Sequence, residues 1–135
     1  MIEDKIIEEA RSYLGVKFRH QGKTRMGMDC RGLLIRSFEA AGLDVTDVKG
    51  YGRNPQPEVM NKALLEVCER VNLEDIRKAD ILYIRFDSRP THLALYKGNN
   101  SIIHAYLQMR KVVEHEIDKS WWLAVAAVYR HKGLM

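Results

Sequence analysis

The chain has 135 residues, 46% hydrophobic and 30% charged, which separates it from disordered and fibrous sequences and is enough to bury an apolar core. Against 18 aspartates and glutamates stand 22 lysines and arginines, a formal charge of +4; they fall as scattered pairs such as Lys23 with Arg25 and Arg110 with Lys111, without an aromatic-and-basic stripe, so no nucleic-acid partner is expected. The longest apolar run, "WWLAVAAVY" at 121–129, is too short to be a transmembrane segment, and two cysteines, Cys30 and Cys68, make neither a disulfide scaffold nor a zinc knuckle.

The opening "MIEDKIIEEARSYLG" is acidic and amphipathic and lacks the apolar stretch and cleavage site of a signal peptide. The product is therefore expected to be cytoplasmic when synthesised, and to stay there or leave by a route that needs no such signal. Ile6, Ile7, Ala10, Tyr13 and Leu14 recur at helical spacing, predicting a helix over 3–14 that ends at Gly15. Residues 15–28 read as an irregular loop. Asp29 is a candidate N-cap for a helix from Cys30 to Ala41 that buries Leu33, Leu34, Phe38 and Ala41 and stops at Gly42.

Residues 43–57, with "VKGYGRNPQP", read as loop and as a candidate site rim. A third helix is predicted from Glu58 to about Val71, with Val59, Leu64, Leu65, Cys68 and Val71 on its buried face, which makes Cys68 a structural residue. Beyond Asp75 the pattern changes to short strands at 80–86, 92–97, 101–107, 111–117 and 124–130. Helices first and an antiparallel sheet afterwards is an α+β arrangement, with N-terminal helices packed on the sheet. No linker or repeat interrupts it, so 1–135 reads as one domain.

Cys30 is open to three readings: a small buried residue, a metal ligand beside two histidines, or a nucleophile. A thiol in the first turn of a helix faces unpaired N–H groups and the positive end of the dipole, which favour the thiolate, while the neighbouring Asp29 carboxylate opposes it. Two histidines bear on the choice. If "GNN" makes a three-residue turn and Lys97 faces Ser101, then His104 lies across from Ala94 and diagonally near His92 on one face of a hairpin. One imidazole would then orient the other toward a thiol, the set that nucleophilic catalysis needs. Each histidine by itself also fits a satisfied structural role, and His115 and His131 stand in no pattern.

In "DCRGLL" at 29–34, "HLALYKG" at 92–98 and "IIHAY" at 102–106 the chain resembles the NlpC/P60 cysteine peptidases, papain-like cell-wall hydrolases. The order cysteine, histidine, histidine and the interval of 12 positions from His92 to His104 match as well, and "KADILYIR" at 78–85 resembles a segment that in the family usually begins proline–glycine–aspartate. The resemblance implies a papain-like fold, with Cys30 as nucleophile, His92 as base and His104 as its orienter. It implies hydrolysis of an amide in a peptidoglycan stem peptide without metal or organic cofactor, and the Cys30 N–H is the natural oxyanion donor.

Two positions depart from the family pattern. Phe18, in "FRHQG", stands where relatives carry a tyrosine, so a hydroxyl is missing that His20 or Gln21 would have to replace. Arg31 stands for the usual serine, and its side chain is expected to run along the helix toward solvent. With Asp29 these residues form the expected substrate-binding set. "RHQG" is similar to the subset found in phage tails, which implies tail proteins as partners and delivery to the cell wall. The alternatives are a catalytically weak or inactive structural module of a tail assembly, or a papain-like acyltransferase or thioesterase.

Overall fold

The computed structural model describes residues 1–45, 57–86 and 89–135. The first helix, α1 (Ile2–Ser12), carries Glu3 and Asp4 in its first turn and Arg11 in its last, charges that oppose the helix dipole at each end. It buries Ile6, Ile7 and Ala10, and Tyr13 follows them into the core, whereas Leu14 lies past the helix and is exposed. The segment expected to be irregular contains a small antiparallel ribbon of β1 (Lys23–Thr24) and β2 (Gly27–Met28). It leads directly into α2 (Cys30–Glu39), capped by Asp29 and followed by Gly42 at φ 78°. The predicted loop over 43–57 lies outside the described residues from 46 to 56.

The third helix is shorter than its periodicity suggests. α3 (Pro57–Val67) gives way to a strand, β3 (Cys68–Val71), so Cys68 and Val71 are not on the helix. β3 pairs with the C-terminal strand β8 (Val125–His131), and these ladder bonds override a helical pattern that carries no stop signal. Ala63, Leu64 and Cys68 are buried, while Val59 and Leu65 are exposed. The remaining strands are β4 (Ile81–Phe86), β5 (Arg89–Gly98), β6 (Ser101–Tyr106) and β7 (Lys111–Glu116). A short helix, α4 (Lys119–Leu123), joins β7 to β8.

All pairs of the six-stranded sheet are antiparallel, in the order β3-β8-β4-β5-β6-β7. Alternation along the strands gives the sheet two buried faces. Ile81, Tyr83, Leu93, Leu95, Ile103 and Ala105 join the helical side, with Leu33, Leu34 and Phe38 of α2. Leu82, Ile84, Ala94, Tyr96 and Ile102 form a second cluster, covered by Trp121 and Trp122 around α4. The fold is thus α+β, N-terminal helices on an antiparallel sheet. Among the described residues no helix is long and apolar enough to cross a membrane.

One buried ion pair ties the sheet to the turn before it. Asp80, at the start of β4, accepts from Arg130 Nε and Nη2 on β8, both at 2.8 Å, and from the Arg77 backbone N–H at 2.8 Å. Arg130 Nη2 also donates to the Asp75 carbonyl. Asp80 is fully buried and Arg130 is 6% exposed.

The hairpin between β5 and β6 reaches its register by an unexpected route. Leu95 pairs with Ile103 and Tyr96 with Ile102, the register that a three-residue turn would give. The turn is instead Asn99–Asn100, both left-handed at φ 53° and 59°, closed by Gly98 opposite Ser101. An even-numbered turn alone would exchange the two faces; Lys97 drops out of the ladder as a bulge and restores them.

Candidate active site

The start of α2 is fastened to the preceding loop by backbone bonds. Asp29 caps the helix through Oδ1, which accepts from the Gly32 N–H at 2.9 Å, while Oδ2 accepts from the Gln21 N–H at 2.8 Å. The Asp29 N–H in turn donates to the Gly22 carbonyl at 3.1 Å. The approach is so close that a Cβ on Gly32 would collide with that carbonyl, which explains the glycine two residues after the cysteine. Asp29 is buried and, through these bonds, orders both the loop and the helix end.

Cys30 is therefore the first residue of α2, half-buried, with α2 laid across β5 and β6. Its thiol is pushed up to about 11, first by burial and then by the Asp29 charge. The Leu93 and Arg31 amides facing the sulfur and the Arg31 charge act the other way without prevailing. Burial, which the sequence did not show, acts with the Asp29 carboxylate to outweigh the amides at the sulfur. The Leu93 amide brings the thiol to β5 immediately beside His92 in the chain.

His92 and His104 lie on neighbouring strands, both buried, with His92 Nε2 2.6 Å from His104 Nδ1. Burial lowers both imidazoles far below their ordinary range, His92 to about 3 and His104 further, the latter also through His92 and His115. Both rings are therefore neutral at neutral pH. Tyr106 stacks on His104 with centroids 4.7 Å apart, and Trp121 meets the same ring edge-on at 5.7 Å.

A third histidine, which stands in no sequence pattern, joins this pair. His115 Nε2 lies 2.8 Å from His104 Nε2, and its Nδ1 lies 2.9 Å from the Glu116 carbonyl oxygen. The β6–β7 register sets His104 opposite Val113 and Ile102 opposite His115, which makes His115 the diagonal neighbour of His104 on one face. Register across β6–β7 was the signal that would have found it. Among the described residues no three histidine, cysteine or carboxylate side chains are grouped to hold a metal ion.

The other expected site residues are distributed around the helix start. Phe18 is half-buried against the main core, bridges to Met28 and donates its N–H to the Arg110 carbonyl. His20 is half-buried and Gln21 exposed, the latter left-handed at φ 62° so that its amide reaches Asp29. Arg31 does not run toward solvent: it is 2% exposed, buried with Gly32 and Leu33 in the first turn of α2, a helix packed against α1, the β1–β2 ribbon and the sheet.

Neutral, buried imidazoles have a consequence for stability. Because His92 and His104 titrate lower in the folded chain than in the unfolded one, the unfolded chain binds more protons between their folded values and about 6.5. Their contribution is complete above that range and is lost as pH falls through it. Urea midpoints are expected to drop between pH 7 and pH 4.5, before most carboxylates titrate, and the drop should be smaller in His92→Gln. Identical midpoints for the wild type at the two pH values would contradict neutral burial of the pair.

A model of the NlpC/P60 family matches residues 15–131. Murein DD-endopeptidase MepS/Murein LD-carboxypeptidase of Escherichia coli (strain K12) is 25% identical over 121 residues, 89% of this chain and 58% of that protein. Dipeptidyl-peptidase 6 of Lysinibacillus sphaericus is 24% identical over 120 residues, 86% of this chain and 37% of that protein. The chain thus spans little more than half, or less, of the length of these curated relatives. A solved NlpC/P60 family protein from Bacillus cereus ATCC 10987 superposes with a TM-score of 0.75 at 20% identity, over 96% of this chain and 40% of that one. Since the family match runs through the ribbon, the cysteine helix and every strand of the sheet, the shared feature is the folded unit and not one motif: the chain belongs to the NlpC/P60 family.

Proposed function

We propose that this chain is a cysteine endopeptidase or amidase that hydrolyses an amide bond in peptidoglycan stem peptides. The observation that carries this reading is the buried, neutral His92–His104 pair, whose His92 lies on the strand whose Leu93 amide faces the Cys30 thiol. A neutral imidazole is the form that accepts a proton, so a thiol that is not ionised at rest can be activated as it attacks. The substrate class is supported by the family and by the murein endopeptidase among its relatives.

In this mechanism Cys30 Sγ bonds to the carbonyl carbon while its proton passes to His92 Nδ1. The Cys30 N–H, which as the first helical residue has no acceptor within the helix, stabilises the oxygen that becomes negative. Collapse breaks the C–N bond, and His92 returns the proton to the departing amine. Water then attacks the thioester, giving one proton to His92 and releasing the acid, and the proton restores the thiol. His104 holds the His92 ring. Phe18, His20 and Gln21 on the strapped loop, with Arg31 near the thiol, contribute to substrate binding, and Asp29 fixes that loop. We assign no metal or organic cofactor to the reaction. Incorporation in a phage tail, with other tail proteins as partners and delivery to the cell wall, rests on the likeness of "RHQG" at 19–22 alone and is a separate part of the proposal.

Purified protein incubated with muropeptides, with products followed by mass, tests the reaction. Wild type is expected to break one stem-peptide amide and Cys30→Ala none. Absence of cleavage by folded wild type across a broad pH scan would overturn the reading, and turnover of esters without amides would redirect it to acyl-transfer or thioesterase chemistry. One observation favours a second reading, a structural binding module that keeps the fold: the raised thiol. A thiol-reactive probe separates the two: because Cys68 is buried, the comparison is made at Cys30, where faster labelling near neutral pH in the wild type than in His92→Gln requires an assisted thiol, whereas equal, slow labelling of Cys30 in both favours the module.

A further inference from the structure

The three histidines form an ordered chain with a fixed end. The Glu116 carbonyl can only accept a hydrogen bond, so the His115 nitrogen facing it, Nδ1, must carry a proton. In neutral His115 the other nitrogen, Nε2, is then an acceptor, and the proton in its 2.8 Å contact belongs to His104 Nε2. His104 Nδ1 is left as an acceptor, so the 2.6 Å contact is a donation from His92 Nε2–H. His92 Nδ1 is left with its lone pair. Each step follows from one donor and one acceptor per neutral ring.

We infer that His115 is a positioning residue that, anchored on the Glu116 carbonyl, sets the tautomers of His104 and His92 and so puts the His92 lone pair on Nδ1, the nitrogen assigned to take the proton of Cys30. The inference rests on the peptidase reading for its catalytic meaning, but the tautomers themselves do not. Without His115, neutral His104 is free to place its proton on Nδ1, where it would donate to His92 Nε2 and move the His92 proton onto the nitrogen needed as base. Aromatic rings cover the relay: Tyr106 stacks on His104, and Trp121 packs against His104 at 5.7 Å and His115 at 5.2 Å.

Imidazole 15N spectra of the wild type near pH 7.5 test the assignment without substrate. Protonated Nδ1 in His115 and protonated Nε2 in His104 and His92 are expected; a proton on Nδ1 of either His104 or His92 would overturn it. In kinetics, His115→Phe removes the acceptor while keeping a ring, and kcat is expected to fall by roughly 10–100-fold, the range for losing the partner that orients a functional imidazole, with KM little changed. His115→Gln supplies a side-chain carbonyl to the His104 N–H and should recover most of that loss. Equal kcat in the Phe and Gln variants, both folded by circular dichroism, would also overturn the assignment. If wild type shows no turnover at all, the peptidase reading falls, and the spectra still decide the tautomers.

Discussion

His92→Gln is expected to lower kcat/KM on a muropeptide by ~10²–10⁴-fold, toward the background of Cys30→Ala, with the fold retained. Glutamine keeps most of the volume of the ring but cannot take a proton from a thiol or return it to an amine. With the Cys30 thiol pushed up to about 11, little thiolate exists near neutral pH to bypass the base. The two substitutions at His104 should differ from this and from one another. His104→Gln can present its amide oxygen to the His92 N–H across what is now a 2.6 Å contact, so part of the activity survives; His104→Ala presents nothing and leaves a buried polar atom unpaired. Steady-state kinetics on the four variants, after circular dichroism, decides the matter. Near-wild-type turnover in His92→Gln would remove it as the base, and complete loss in both His104 variants would give that ring a chemical role beyond orientation.

Asp80→Ala is expected to cost about 3–5 kcal/mol of stability, the usual result of stranding one member of a buried ion pair. The Arg130 guanidinium would lose both 2.8 Å bonds to the carboxylate and keep only the Asp75 carbonyl, in a setting where it is almost free of water. The Arg77 N–H would lose its acceptor too. The double replacement Asp80→Leu with Arg130→Met strands no charge and should recover much of the loss. Urea denaturation of the wild type and both variants measures this. A loss below about 1 kcal/mol in Asp80→Ala would mean that water reaches the guanidinium and that the pair behaves as a surface one.

The sequence carries the elements better than the connections between them. Helical spacing located α1 and α2, and alternation located the five later strands, because both patterns reflect which face is buried. The boundary at Cys68 was not legible: "ALLEVCERV" continues a helical period, and only pairing of residues 68–71 with β8, more than 50 positions away in the chain, makes a strand of them. The hairpin shows the same limit at closer range. Its face was readable from parity, yet the two-residue turn and the Lys97 bulge cancel, and two offsetting irregularities leave no trace in a count of residues. Arg31 was misplaced for another reason. A cation in the first turn of a helix is ordinarily solvated, and the burial of this one depends on how the helix packs, which its local sequence does not show. Likewise, His115 acquires its neighbour only through the β6–β7 register.

The strand order has a consequence for biosynthesis. β4 to β7 are successive hairpins that can pair as they emerge from the ribosome, but β8, the last strand in chain order, lies between β3 and β4. Until residues 125–131 arrive, the apolar segment Ile81–Leu82–Tyr83–Ile84 has one row of N–H and C=O groups open, an edge to which another nascent chain can add. The window of greatest aggregation risk therefore runs from completion of β5 to release of β8. Chains cut short within that window should need a chaperone to remain dispersed, and those cut between β7 and β8 should need one even though they already carry the cysteine and all three histidines of the relay.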